Sequence, residues 1–215
     1  MGPHISREAD SAGRESQGSN CLLSHAISSK KIVVRFRNGE ILTAPPDYIF
    51  EPIAETLLLN VYGFENPPSK AVIVDVGASI GDFTLLASRS PQNRVYAYEP
   101  SIKAFRYMRF NLVANKRTIL AFNRAANASV LDSILEKYAE PSIDFLKVDC
   151  EGCEYELLLE CSATTLSKIK KIAMEIHSIP EWKRCDLVQR LKNTGFSVKA
   201  KIVGRGSYLY ASINQ

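Results

Sequence analysis

The stretch AVIVDVGASIGDFTLLA, residues 71–87, decides the fold of this 215-residue chain. Residues 71–76 form an almost continuous apolar run rich in β-branched side chains, which is typical of a strand buried on both faces of a parallel sheet. Gly77 and Gly81 then bracket a tight turn, and Asp82 stands where the cap of a helix is expected. The stretch therefore predicts a strand, a glycine turn and the start of a helix.

A glycine turn at the carboxyl end of a strand indicates a ligand site, because the backbone and the free N–H groups of the next helix are accessible there. The dinucleotide pattern G-x-G-x-x-G fails, since Ser79 stands at its second glycine and Asp82 at its third. A carboxylate at Asp82 would also repel a pyrophosphate. A nucleoside without phosphates avoids that repulsion. The turn therefore favours S-adenosylmethionine, whose sulfonium group is a cation.

The bulk properties predict one α/β domain with modest additions. The net charge of +4 is too small to indicate a nucleic-acid-binding protein, although basic residues are concentrated in the last quarter of the chain. No apolar run is long enough to cross a bilayer and no signal peptide is recognised, so a cytoplasmic protein is expected. The five cysteines are odd in number and irregular in spacing, which favours reduced thiols.

The polar composition of residues 1–29 predicts a weakly ordered tail, in which residues 21–27 form at most a transient helix docked on the domain. Residues 30–66 are predicted to be an extension with a hairpin over 31–43, turning at Asn38-Gly39, and a helix over 47–60. Residues 67–215 form the main domain. Its remaining elements are predicted as strands 94–98, 118–122, 144–148, 169–176, 196–203 and 208–213, and helices 101–115, 128–138 and 186–193. Alternating strands and helices imply a parallel sheet, and the closing hairpin implies an antiparallel strand.

Glu99, followed by Pro100, ends the second strand of the main domain and lies 18 residues after Gly81. An acid at this place reaches a ribose diol, since its two oxygens match two adjacent hydroxyls. An ordinary glutamate at a strand end is the alternative. The coupling to the glycine turn favours ribose binding.

Acidic side chains follow the fourth predicted strand, and an acid and a histidine end the fifth. His177 is the candidate general base, because imidazole titrates near neutral pH. The alternative is a histidine that is only hydrogen-bonded at a strand end. Glu175 is expected to orient it. Asp149 and Glu151 are candidates to bind the acceptor hydroxyl, to act as the base, or to hold a divalent ion with Glu175, and we assign no metal.

Cys150 and Cys153 have C-x-x-C spacing, which is also found in zinc and redox sites. The sequence places no fourth zinc ligand near them. We therefore expect both to be core residues.

Five motifs in order resemble the FkbM family of S-adenosylmethionine-dependent methyltransferases over roughly residues 32–177. They are VIVDVGASIGDFTLLA, VYAYEPSIKAFRYMRFNLVAN, SVLDSILEKY, IDFLKVDCEGCEYELL and KIAMEIH. The resemblance implies a class I methyltransferase fold, a Rossmann-like α/β three-layer sandwich with a mostly parallel seven-stranded sheet and an antiparallel edge strand. It also implies S-adenosylmethionine as cofactor and a hydroxyl oxygen as the usual acceptor.

Carried over by position, the resemblance places the methionine and ribose portions at the glycine turn, the ribose hydroxyls at Glu99, and the adenine against Asn123 and Arg124. The predicted cofactor-binding residues are Asp75, Gly77, Ala78, Ser79, Gly81, Asp82, Glu99, Pro100, Asn123, Arg124 and Asp149.

The predicted activity is methylation of a small-molecule or glycan hydroxyl, with no membrane partner. Two alternatives stay open. The basic last quarter of the chain allows RNA methylation, and the short segment between Asn123 and the helix at Leu131 allows a non-catalytic protein that only binds the cofactor.

Overall fold

Two β-sheets organise the chain, one of seven strands and one of three. The computed structural model describes residues 22–28, 31–65, 67–177, 180–204 and 206–213. Among these residues, no helix has both the length and the apolar character needed to cross a membrane.

The seven-stranded sheet has the order β6-β5-β4-β7-β8-β10-β9. All pairs from β6 to β8 are parallel, while β10 runs antiparallel to both β8 and β9. This confirms the predicted mostly parallel sheet with an antiparallel strand at one side. The strands are β4 (Val72–Val76), β5 (Arg94–Tyr98), β6 (Leu120–Phe122), β7 (Phe145–Val148), β8 (Lys171–Glu175), β9 (Phe196–Val203) and β10 (Gly206–Ile213).

Helices cover both faces of this sheet, which confirms the three-layer sandwich. All five residues of β4 are buried, as its apolar run predicts. Val72, Val74 and Val76 point to one face, because side chains alternate along a strand. The helices are α1 (Phe50–Pro52), α2 (Asp82–Ala87), α3 (Ile102–Ala114), α4 (Ala128–Glu136), α5 (Glu154–Glu160), α6 (Ala163–Ser167) and α7 (Glu181–Asn193).

The strand order reverses between β5 and β7, on either side of the central β4. A crevice opens at the carboxyl ends of the strands at such a point, because the connections leave β4 and β7 toward opposite faces. The glycine turn after β4 and the acidic segment after β7 therefore lie side by side.

The smaller sheet contains β1 (Leu22–Ser28), β2 (Lys31–Phe36) and β3 (Ile41–Ala44), all antiparallel. The predicted hairpin is β2 and β3. The expectation of a weakly ordered or helical segment before it is wrong for residues 22–28, because this segment pairs with the edge of β2 that β3 leaves free. Residues 1–21 lie outside the described residues.

Asn111 of α3 joins the small sheet to the glycine turn. Its fully buried side chain accepts from Thr43 N–H at 2.8 Å and donates to the carbonyls of Thr43 and Ile80 at 3.0 and 2.9 Å. These bonds satisfy every strong polar group of a buried amide, so the small sheet is held against the main domain.

The helix predicted over 47–60 is broken into three pieces, which are a short 3₁₀ turn (Pro46–Tyr48), α1 and a π-helical turn (Ile53–Leu58). Pro52 has no N–H, so it interrupts the hydrogen-bond pattern of a longer helix. The wider turn that follows is marked by the bond from Leu59 N–H to the carbonyl of Ala54. Turns of this kind are frequent at functional sites, and this one lies along the crevice.

Candidate active site

The glycine turn is shaped by packing as well as by backbone freedom. Gly77 and Gly81 have φ values of +76° and +87°, where residues with a Cβ are disfavoured. A Cβ on Gly77 would lie 1.6 Å from the carbonyl oxygen of Asp149, and one on Gly81 would lie 2.8 Å from Cγ of Met108. The space left by the two missing Cβ atoms, which the sequence predicted for a ligand, is therefore filled by neighbouring residues. The turn packs closely against the end of β7 at Gly77 and against α3 at Gly81.

Glu99 is fixed at the rim of the turn. Its Oε2 accepts Ser79 N–H at 2.8 Å and its Oε1 accepts Ser101 N–H at 2.7 Å. Each oxygen retains a further lone pair, and the residue lines the crevice beside Pro100. The role of Glu99 in binding a ribose stays a prediction, and the structure places its carboxylate in the crevice lining.

Lys147 lines the crevice, and sequence reasoning did not single it out. Its Nζ lies 3.2 Å from Asp75 Oδ1 and 3.7 Å from Asp149 Oδ2, and it donates to the Gly77 carbonyl at 2.6 Å. Burial lowers the pKa of Lys147, but the carboxylates of Asp75, Asp149 and Asp82 outweigh that effect and raise it above its ordinary value. The signal in the sequence was a lysine in an otherwise apolar strand.

Asp75 is completely buried and does not line the crevice. One of its oxygens faces Lys147 and the other accepts the Thr84 hydroxyl at 2.6 Å. The predicted direct contact with a cofactor is therefore corrected, because Asp75 supports the turn from behind.

Asp82 lines the crevice but does not cap its helix. Gly81 occupies the cap position, and the Asp82 carboxylate instead accepts the Thr56 hydroxyl from the π-helical turn. Burial raises the pKa of Asp82 to about 6, against the opposing effects of Lys147 and Thr56. This hydrogen bond connects the π-helical turn to the helix that follows the glycine turn.

Asn123 and Arg124 lie outside the crevice lining, in contrast to the predicted adenine wall. The Asn123 amide donates to the carbonyls of Glu99 and Pro100 at 2.8 and 3.1 Å. The Arg124 guanidinium lies over the Phe122 ring, 5.5 Å from its centre. Both side chains therefore contact residues at the ends of β5 and β6.

Asp149 and His177 meet across the other end of the crevice. The Tyr62 hydroxyl donates to Asp149 Oδ2 at 2.7 Å, and Asp149 Oδ1 lies 4.0 Å from His177 Nε2. Glu151 Oε2 approaches the same nitrogen at 3.3 Å. The predicted catalytic residues are therefore brought together at the ends of two neighbouring strands.

Glu154, rather than Glu175, is the hydrogen-bond partner of His177. The distance from His177 Nδ1 to Glu154 Oε1 is 2.7 Å. Burial lowers the pKa of His177, but Glu154 and Glu151 outweigh that effect and raise it above its ordinary value. The sequence suggested Glu175 because it lies two residues away on the same strand, whereas the actual partner comes from the start of α5.

Glu175 lies in the crevice among other carboxylates. Burial, Asp149 and Glu55 raise the pKa of Glu175 to about 7. Burial and Glu51 likewise raise the pKa of Glu55, a residue of the π-helical turn that the sequence did not identify. The crevice measures about 570 Å³. Its described lining has Lys147 and His177 as basic residues and seven carboxylates, namely Glu51, Glu55, Asp82, Glu99, Asp149, Glu151 and Glu175.

Asp149, Glu151 and His177 each bring one atom within 4.8 Å of the others. Their contacts are those of a histidine between carboxylates, and Glu151 is 85 % exposed at its side chain. We assign no metal to this group.

Cys150 and Cys153 form a disulfide with a Cα–Cα distance of 5.5 Å. The expectation of reduced thiols is therefore wrong for this pair, although both cysteines pack against the core as half-buried residues. Glu151 and Gly152 both have positive φ, +56° and +121°, and this folds the loop back so that the two cysteines meet. Cys161 is a free buried thiol and Cys185 a free exposed one.

Residues 123–198 match the family model described as the methyltransferase FkbM domain. This segment contains Lys147, the loop from Asp149 to Glu154, and His177. A curated relative, the AMB antimetabolite synthetase AmbE of Pseudomonas aeruginosa, is 40% identical over 67 residues. That alignment covers 31% of this chain and only 3% of AmbE, so the chain corresponds to a small part of that protein.

Solved structures share the fold at low sequence identity. A methyltransferase from Pyrococcus furiosus aligns with a TM-score of 0.51 and 18% identity, over 75% of this chain and 81% of that one. Aeropyrum pernix fibrillarin, solved with natively bound S-adenosyl-L-methionine, aligns with a TM-score of 0.51 and 14% identity, over 90% of this chain and 100% of that one. The METTL16 methyltransferase domain aligns with a TM-score of 0.52 and 16% identity, over 72% of this chain and 63% of that one.

The family suggested by the five motifs is thus supported from two sides. The family match covers β7, β8 and the residues Asp149, Glu151 and His177 that follow these strands, and the fold is the one found in methyltransferases. Residues 123–198 thus match the methyltransferase FkbM domain, and the described residues have the fold of solved methyltransferases.

Proposed function

We propose that this protein transfers a methyl group from S-adenosylmethionine to a hydroxyl of a small molecule or sugar. One observation carries the proposal. The rim carboxylate Glu99 and the pair formed by Asp149 and His177 line one continuous crevice of about 570 Å³, which is within the range of small-ligand sites. Glu99 would hold the cofactor, and Asp149 and His177 would be left to bind the acceptor in the same crevice.

The residues present fit the cofactor. Glu99 would hold the ribose hydroxyls, and the glycine turn, through Ser79, would lie against the ribose and methionine portions. Seven carboxylates in the lining disfavour a ligand with phosphates and favour a cation. When bound, S-adenosylmethionine supplies an electrophilic methyl group on a positively charged sulfur.

At the other end, His177 would accept the proton of the acceptor hydroxyl on Nε2, which is the ring nitrogen that faces the crevice. Asp149, fixed by Tyr62 and Lys147, would accept a hydrogen bond from the same hydroxyl and direct its oxygen. Holding the oxygen in line with the methyl group is the main contribution expected from the protein. The π-helical turn lines one side of the crevice through Glu55 and Thr56.

The acidic lining weighs against RNA as the acceptor, because phosphates approaching it meet like charges. The alternative rests on basic residues of α7 and β9, such as Lys192, Lys199 and Lys201. RNA binding through that surface predicts an affinity that falls steeply with salt, which filter binding at two salt concentrations would measure. A cytoplasmic location is likewise a prediction from the sequence.

The experiment is a pair of variants measured for both binding and turnover. The H177A variant is expected to bind S-adenosylhomocysteine as wild type does, while losing methyl transfer to a panel of hydroxyl acceptors by about 100-fold or more. E160Q, which changes an exposed glutamate of α5, serves as the matched control. Equal turnover of H177A and wild type would reject the base. Absence of transfer by wild type to every acceptor, with cofactor binding intact, would favour a non-catalytic protein.

A further inference from the structure

We propose that Glu154 is a positioning residue that fixes the tautomer of His177, holding the proton on Nδ1 and presenting a free Nε2 to the crevice. The inference rests on the proposed function only for its catalytic meaning. The positioning itself is a property of the folded protein and can be measured without cofactor or acceptor.

The geometry assigns the proton. A carboxylate accepts hydrogen bonds and donates none, so the 2.7 Å contact between Glu154 Oε1 and His177 Nδ1 requires a hydrogen on that nitrogen. In the neutral ring the other nitrogen, Nε2, then carries a free lone pair. Nε2 is the atom that faces Asp149 and Glu151, so the lone pair points to the place where the acceptor hydroxyl would bind.

Glu154 is held tightly enough to impose this choice. It is completely buried, and its two oxygens also accept Cys150 N–H at 3.1 Å and Gly152 N–H at 2.9 Å. The carboxylate therefore has three donors, two from the loop closed by the disulfide and one from the imidazole. A buried charge with such a full set of partners has one orientation, and the ring it contacts inherits that orientation.

The other groups that face the imidazole do not provide an equivalent anchor. Glu151 is 85 % exposed at its side chain, and Asp149 lies 4.0 Å from Nε2. Glu175 also acts on His177 by its charge, with no hydrogen bond to the ring. Without Glu154, the charged neighbours of the ring among the described residues would lie on its Nε2 side. Proton transfer to Nε2 would then compete, which removes the base.

The test is NMR spectroscopy of the imidazole nitrogens, which distinguishes the two tautomers directly. The chain has three histidines, and H177Q identifies the signals of His177. Wild type, kept in EDTA so that no metal occupies the nitrogens, is expected to show the Nδ1–H form above the pKa of His177. In E154Q we expect a mixture of tautomers and a pKa lower by about one unit or more. E160Q, a glutamate change at the exposed end of the same helix, is expected to leave both unchanged.

A wild-type ring in the Nε2–H form would overturn the proposal, and this measurement needs no variant. So would an E154Q protein that is folded and keeps both the tautomer and the pKa of His177. Failure of the proposed function is separate, since it would leave the Nδ1–H form intact while S-adenosylhomocysteine fails to bind. In a turnover assay, E154Q should lower kcat at high pH with little change in the KM for the cofactor.

Discussion

Lys147 is a buried cation that joins the glycine turn after β4 to Asp149 at the end of β7. Its ammonium group contacts Asp75, Asp149 and the carbonyl of Gly77, and 4 % of its side chain is exposed. Substitution by methionine keeps most of the aliphatic length and removes the charge. Asp75 is completely buried, so it would lose its cation without replacement by water, whereas Asp149 lines the crevice and keeps the hydrogen bond from Tyr62.

Breaking a buried ion pair by removing one member costs about 3–5 kcal/mol, because a charge is left uncompensated in a medium of low polarity. We expect K147M to lose stability by that amount. For a domain of this size, about 2–4 °C per kcal/mol gives a fall in Tm of about 6–20 °C. The Gly77 carbonyl also loses its donor, so the affinity for S-adenosylhomocysteine should fall as well.

The assay is urea unfolding followed by far-ultraviolet circular dichroism, with K170M as the matched control. Lys170 forms a single 2.7 Å pair with Asp144 and 41 % of its side chain is exposed. Its loss should cost less than about 1 kcal/mol. Adding D75N to K147M should recover part of the loss, because it removes the stranded charge. A K147M protein as stable as K170M would refute the central role of the buried lysine.

Three further predictions concern neighbouring groups. Burial raises the pKa of Asp82 to about 6 in the folded protein. Because this carboxyl loses its proton at lower pH in the unfolded chain, it lowers the free energy of unfolding as the pH rises from about 4 to about 6. Unfolding curves should therefore show D82N gaining stability relative to wild type over that pH range, by about 3 kcal/mol at most. C150V/C153A, or reduction by a dithiol, should lower the free energy of unfolding by about 2 kcal/mol through loss of a short closed loop, and should broaden the His177 signals. The pKa of His177 is raised above its ordinary value of about 6.5, so turnover should still be increasing with pH beyond that value. A stability difference between D82N and wild type that does not change with pH would contradict the first prediction. An unchanged free energy of unfolding without the disulfide would contradict the second, and a turnover rate independent of pH the third.

The parts of the fold that depend on local pattern were predictable. The apolar run of β4, the glycines after it and the capped helix α3 carry their own signals. Glu99 was singled out because its distance from Gly81 along the chain corresponds to one helix and one strand, α2 and β5. The resemblance to a family added the order of the later motifs, which single elements do not carry.

The parts that failed depend on partners distant in sequence. Residues 22–28 form a strand because β2 offers a free edge, and the disulfide forms because two residues with positive φ bring Cys150 and Cys153 together. Asn123 is used by the carbonyls of Glu99 and Pro100, which only the folded strand ends reveal. Glu154, at the start of α5, is hydrogen-bonded to His177, which follows β8, whereas proximity in the sequence pointed to Glu175.

The most direct test of the account is a calorimetric titration of the wild-type protein and E99Q with S-adenosylhomocysteine. Wild type should bind at one site per chain. E99Q should bind about tenfold more weakly or worse, because a charge-assisted hydrogen bond to the ribose is worth about 1.5–3 kcal/mol. Absence of binding by wild type, or equal affinities of the two proteins, would contradict the assignment of the crevice to this cofactor.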